Sequence, residues 1–185
     1  MNFEALEQKI EAATRKAFLE IVSKHKEEEI YAFALYSDDG AMTVCPASNS
    51  LKFLNNPEGK GLADLNYYKF VTAEWKYEML GADNEFDAIS TELYSELSKN
   101  NYENEYQDEK TFLDFRDRLF QACIHVLKKL KEESFFKNLL GRDIFLTFTV
   151  PDFDFEEKEL DKIISDLNDN PYKEEYLAWM RNLGV

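Results

Sequence analysis

The chain predicts a single α+β domain over residues 1–185, with a small, mainly antiparallel sheet flanked by helices. Three observations carry that reading. Ile30 to Ser48 reads IYAFALYS, DDG, AMTVCPAS, two strand-like runs about a turn; DIFLTFTV at Asp143 to Val150 is a second strong strand; and the segments around them repeat apolar residues at three- and four-residue steps. A chain of 185 residues is long enough to bury one core, covering roughly 70% of its unfolded surface.

Taken in order, Phe3, Leu6, Ile10, Ala13, Ala17 and Ile21 form one stripe of a helix from Asn2 to about Lys26, and Lys24, His25 and Lys26 place positive charge where the helix dipole favours it. His25 then reads as a solvated helix-end residue. In the first strand, alternation sends Tyr31, Phe33 and Leu35 to one face and Ile30, Ala32, Ala34 and Tyr36 to the other; both faces are apolar, which predicts a central strand. Asp38-Asp39-Gly40 supplies the turn, with Gly40 taking positive φ. The return strand runs through Met42, Thr43, Val44 and Cys45, and Pro46 either ends the pairing or leaves that flank open.

Asn49 to Ala63 reads as irregular chain with a short helical turn at Leu51 to Leu54. Tyr67 to Met79 mixes aromatic and polar residues as a third strand would. Phe86, Ile89, Leu93 and Leu97 mark a helix capped by Asp83 or Asn84. Asn100 to Glu109 has no apolar stripe and reads as an exposed loop. Phe112, Phe115, Leu119, Ala122, Val126 and Leu130, widened by Phe120, Ile124 and Leu127, make a broad-faced helix that includes Cys123 and His125. Gly141 ends the next segment. Ile144, Leu146, Phe148 and Val150 form one face of the late strand, closed by Pro151. Asp154 and Glu157 resemble a capping box before the stripe Leu160, Ile163, Ile164 and Leu167. After Asn170-Pro171, a short helix with Tyr172, Tyr176, Trp179, Met180 and Leu183 is expected to dock on the sheet or the first helix.

Charge narrows the function. The 22 Lys and Arg against 37 Asp and Glu give −15, so nucleic acid and anionic membranes are disfavoured partners and a basic protein is attracted. The N-terminus lacks the basic start and apolar run of a secretion signal, no apolar run reaches the ~18 residues of a membrane span, and Cys45 and Cys123 lie far apart. A cytoplasmic protein with reduced thiols is the expectation.

Chemistry is harder to find. Cys45 with His25 or His125 lacks an oxyanion-loop signature. Asp166, Asn168 and Asn170 match the opening of an EF-hand, but its glycine position is Pro171 and its bidentate glutamate position is Leu177; Asp152, Asp154 and Glu156 fail in the same way. Gly59-Lys60-Gly61 lacks the strand–helix context of a nucleotide loop. No catalytic residue, metal or cofactor is assigned. What stands out is acid interleaved with tyrosine: Tyr102, Glu103, Glu105, Tyr106, Asp108 and Glu109, together with six carboxylates between Asp152 and Asp161 around Lys158. Tyrosine gives contact area at low entropic cost, and a carboxylate field speeds encounter with a basic partner. Solvated loops and helix faces are the bland alternative.

Tyr31-Ala32-Phe33-Ala34-Leu35-Tyr36, Asp38-Asp39-Gly40, Val44-Cys45-Pro46-Ala47-Ser48 and Ala73-Glu74-Trp75-Lys76-Tyr77-Glu78 resemble a numbered domain-of-unknown-function family of bacterial proteins, DUF4303. The likeness spans most of the chain, including the strand Ile144 to Val150 and the Asn170-Pro171 break, and implies no particular reaction. In size and composition the chain is also similar to immunity proteins that neutralise bacterial toxins, many of them basic nucleases. That likeness implies stoichiometric binding in which the acidic surface fills the toxin's phosphate site. Glu74 and Trp75 join the candidate contact residues through the family motif, with a core role for Trp75 as the alternative. The rival expectation is an enzyme or small-ligand binder with a pocket near Cys45 to Ser48 and Glu74 to Tyr77.

Overall fold

The computed structural model describes residues 1–56, 65–99, 109–151 and 155–183. Its sheet has four strands, β1 (Ile30–Ser37), β2 (Val44–Ser50), β3 (Tyr77–Glu78) and β4 (Phe145–Thr149), in the order β3-β2-β1-β4. β1–β2 and β2–β3 are antiparallel, and β4 joins β1 in parallel, so the sheet is mixed. The architecture is α+β.

β1 is buried along its whole length, because helices cover both faces of the sheet. On one face lie α1 (Phe3–Lys24), α4 (Asp83–Lys99), α5 (Glu109–Glu132) and α6 (Phe135–Leu140), whose Leu6, Phe18, Leu93, Leu119 and Phe136 pack with Phe33, Leu35 and Phe148. Phe18 meets the ring of Phe33 edge-on at 5.4 Å and that of Phe136 at 4.8 Å. On the other face α2 (Leu51–Leu54), α3 (Leu65–Phe70) and α8 (Pro171–Leu183) bring Leu54, Phe70, Tyr176 and Trp179 into one cluster with Ala32, Ala34 and Phe145. α8 thus docks on the sheet. α7 (Glu157–Leu167) straddles the β4 edge, sending Ile163 and Leu167 into the first core and Ile164 into the second.

Several local expectations are corrected. A bulge interrupts the β1–β2 register between Ile30 and Ala32, so Ile30 joins Phe33 and Leu35 in the first core, whereas Tyr31 joins Ala32, Ala34 and Tyr36 in the second. One extra residue shifts everything before it to the opposite face. The positive φ in the hairpin loop falls on Ala41 (54°) instead of Gly40. Asp38 organises that loop, its carboxylate accepting from the Met42 N–H at 3.1 Å and the Thr43 hydroxyl at 2.6 Å; Met42 and Thr43 therefore precede β2.

β2 also runs straight through Pro46, which stays in register with Leu35. The Pro46 carbonyl accepts from Met79 N–H at 2.9 Å. In an extended strand the nitrogen of a residue faces the same flank as its carbonyl, so the missing donor of Pro46 faces the side where β3 is ending and no β1 bond is lost.

The third strand shrinks to Tyr77–Glu78, and Leu65–Phe70 is helical. Its last carbonyls, which a helix leaves unpaired, are taken by side chains: Tyr68 O accepts from Asn49 Nδ2 at 3.1 Å, and Lys69 O from Tyr31 Oη at 2.9 Å and Trp75 Nε1 at 3.2 Å. The strand expectation fails because these distant donors stabilise a helix end.

α4 begins at Asp83, whose carboxylate accepts from Gly81 N–H at 2.9 Å instead of capping the helix amides. α7 starts with Glu156 at its N-cap and no side-chain cap bond, while Asp154 lies outside the described residues. His125 is on the outer face of α5, its side chain 60% exposed, not within the apolar stripe.

Candidate functional site

Of the acid–tyrosine residues, Tyr102, Glu103, Glu105, Tyr106 and Asp108 lie outside the described residues, as do Asp152 and Asp154. Glu109 is the exposed first residue of α5, where its charge complements the helix dipole. Tyr94, on α4, is 53% exposed. Elsewhere Glu156, Glu157 and Glu159 are exposed at the start of α7, and Glu174 and Glu175 in α8.

Much of the positive charge is locally committed. Lys16 meets Glu85 at 2.7 Å, Lys129 meets Glu11 at 2.7 Å, Lys69 meets Glu175 at 2.6 Å, and Arg15 joins Glu11 and Glu133. Each ion pair cancels one charge of each sign, so the surplus of 15 carboxylates survives on the rest of the chain. Partly exposed pairs such as these stabilise little on their own; their consequence is that the paired cations do not offset the carboxylates elsewhere.

The region of the rival expectation is built differently. Trp75 is 4% exposed and packs with Phe70, Phe145 and Tyr176, its indole N–H spent on Lys69 O. Glu74 is half-buried and accepts from Tyr67 Oη at 3.3 Å. The family motif here anchors the α3 end, with Trp75 as core. Cys45 is buried in β2, and burial pushes its thiol above the usual range, with the nearby carboxylates of Asp38 and Glu78 acting in the same direction. A nucleophilic thiol needs the opposite shift.

His25 is the C-cap of α1, and its ring lies 4.4 Å from that of Tyr77, so it is packed more closely than a solvated helix end. Tyr77 stands opposite Ser48 in the register, three positions from Cys45, which is about 10 Å along a strand. His125 Nδ1 faces Glu7 at 4.0 Å on the other side of the first core.

One charged cluster escaped the sequence reading. Glu28 accepts from Lys76 Nζ at 2.6 Å and from Ser50 Oγ at 3.1 Å, with His25 Nδ1 at 4.0 Å. Burial opposes its ionisation, but these hydrogen bonds outweigh it and hold the carboxyl at about 2. A carboxylate held so firmly ionised accepts hydrogen bonds and does not deliver protons near neutrality. Nothing in local spacing signals the cluster, since Lys76 is 48 residues from Glu28. Among the described residues no three His, Cys, Asp or Glu side chains gather as a metal ion would require.

The matches to known proteins bear on the whole chain. The family model described as domain of unknown function (DUF4303) matches residues 10–169. The chain belongs to this family. No curated protein and no solved structure matches it. The DUF4303 match runs from the third turn of α1 to just past α7 and so takes in all four strands. It stops short of α8, although Tyr176 of that helix stacks on Phe145 at 5.4 Å and closes the second core of this DUF4303 chain.

Proposed function

We propose that this protein is an acidic interaction protein of the cytoplasm, and specifically an immunity protein that neutralises a basic toxin by stoichiometric binding without turnover. The observation that carries the reading is the charge balance: 37 carboxylate side chains against 22 cations, twelve of which already face a carboxylate within 4.0 Å among the described residues. Such a surface attracts a basic partner from a distance and discourages nucleic acid. The contact residues are Glu103, Glu105, Asp108 and Glu109 with Tyr102 and Tyr106. No helix among the described residues is long and apolar enough to cross a membrane, and both cysteines are free and buried, which suits a reducing compartment. The rival reading, an enzyme using Cys45, is less well supported because that thiol is held protonated.

The experiment is co-expression with a toxic basic domain encoded beside this chain's gene. Neutralisation is expected, with a one-to-one complex whose association rate falls as salt rises. Changing Glu103, Glu105, Asp108 and Glu109 to Lys should slow association by about tenfold or more. Absence of a complex, or a rate indifferent to both salt and charge reversal, overturns the reading.

A further inference from the structure

Where α5 ends, α6 turns back and β4 begins, a cavity of about 320 Å3 opens to the surface. That is the lower end of the range for small-molecule sites, about 300–1,000 Å3. Phe136, Ile144, Leu146 and Leu167, each exposed by 3% or less, line its floor, with Ser134 and Asn170 beside them. Its rim is charged with both signs. Lys131 Nζ pairs with Asp169 at 2.6 Å, and Lys137 Nζ with Asp143 at 3.0 Å.

We propose that this cavity binds a small zwitterion of the α-amino-acid class with an apolar side chain. The side chain occupies the floor, and the ammonium and carboxylate exchange into the rim pair of Lys137 and Asp143. Charge is conserved at the rim by such an exchange. An ion pair as exposed as that of Lys137 and Asp143, whose side chains are 56% and 54% exposed, is weakly held and opens readily. Lys131 is 24% exposed and also donates to the Asp166 carbonyl at 2.9 Å, so its pair with Asp169 stays in place. A ligand carrying both charges a few ångströms apart gives the displaced Lys137 a carboxylate and the displaced Asp143 an ammonium. A singly charged ligand strands one member of a pair. The apolar side chains of the floor give an aliphatic side chain contact that a hydroxymethyl group cannot match, which favours leucine over serine. None of these residues belongs to the acid–tyrosine contact set, so the site stands independently of the toxin-binding reading.

The test is titration calorimetry and nitrogen-labelled NMR of the full chain with L-leucine as probe, against 4-methylpentanoate, 3-methylbutylamine and L-serine. Saturable binding of leucine is expected, with amide shifts centred on Leu146 and Asn170 and affinity at least about tenfold above the three comparison compounds. Lys137→Ala and Asp143→Asn, both at half-exposed positions, should each weaken leucine by about tenfold while leaving the melting temperature of the free protein unchanged. The proposal is overturned by no saturable binding of leucine, isoleucine, valine or methionine up to about 10 mM, by equal binding of the singly charged compounds, by shifts centred elsewhere, or by folded variants that bind as the unaltered chain does.

Discussion

Asn168 presents its carboxamide to both backbone groups of Leu146, accepting from the Leu146 N–H at 2.9 Å and donating to the Leu146 carbonyl at 2.7 Å. β4 is a terminal strand of the sheet, so these groups would otherwise face no neighbour. The side chain of a fully buried asparagine therefore takes the place of a further strand at this position, and Asn170 Nδ2 repeats the device on Ile144 O at 2.9 Å. An edge closed in this way is not a template for pairing with another chain.

Asn168→Ala should destabilise the protein by about 3–5 kcal/mol in urea unfolding, because it strands the Leu146 N–H and carbonyl and removes a bond to Ile164 O, each buried group costing about 1–3 kcal/mol. A loss below about 1 kcal/mol would refute the edge-closing role. Asn168→Asp should be worse at neutral pH, since it turns a carboxylate oxygen towards two carbonyls. That defect should shrink as the pH falls and the new carboxyl protonates to donate in place of Nδ2.

Gly81 and Gly141 both have positive φ, but they should respond differently to a methyl group. At Gly81 (φ +104°), two residues before α4, a Cβ would lie 3.0 Å from the backbone of Ala17 in α1. At Gly141 (φ +70°) nothing lies within 4 Å. Gly81→Ala is expected to cost about 2–4 kcal/mol by combining backbone strain with a helix-to-loop clash, and Gly141→Ala only about 1 kcal/mol for the left-handed conformation. Equal losses in thermal unfolding would show that the approach to Ala17 is not tight.

Periodicity made the long elements readable, because α1, α4, α5 and α7 each bury a continuous stripe and β1 and β4 have apolar faces that only a covered sheet accepts. What stayed hidden depends on residues distant in sequence. The bulge at Tyr31 is invisible to alternation, yet it is what puts the Tyr31 hydroxyl within reach of Lys69 O and Asn49. Asn168 and Asn170 looked like the start of a calcium loop, when their carboxamides are used on the β4 backbone. The Glu28 cluster and the cavity above Leu146 are each assembled from separated segments, and no local motif announces such an assembly.

The two thiols should react slowly and in a fixed order. Cys123 is fully buried and Cys45 is 8% exposed; burial pushes both above the usual thiol range. With a disulfide reagent at pH 8, labelling of the native protein should be at least about 100-fold slower than in urea, with Cys45 modified before Cys123, because only the thiolate attacks and only an opened chain exposes it. Fast stoichiometric labelling of native Cys45 would show an accessible thiolate and would revive the rival enzymatic reading.

Glu28 should leave a signature on the acid limb of stability. Its carboxyl titrates at about 2 in the folded protein against a reference of 4.5, so the folded state binds the proton less tightly than the unfolded one does. The stabilisation this provides is complete above the reference value and is lost as the pH falls from about 4.5 towards 2. Lys76→Met removes the ammonium at 2.6 Å and should cost about 1–2 kcal/mol at pH 7, since hydrogen bonds to a charged partner are among the stronger ones and Lys76 is partly solvated. The same variant should differ less from the unaltered protein at pH 2.5, where Glu28 contributes less in both. If urea unfolding shows a difference as large at pH 2.5 as at pH 7, the lysine acts through packing of its stem on Tyr77, and the low carboxyl value has another source.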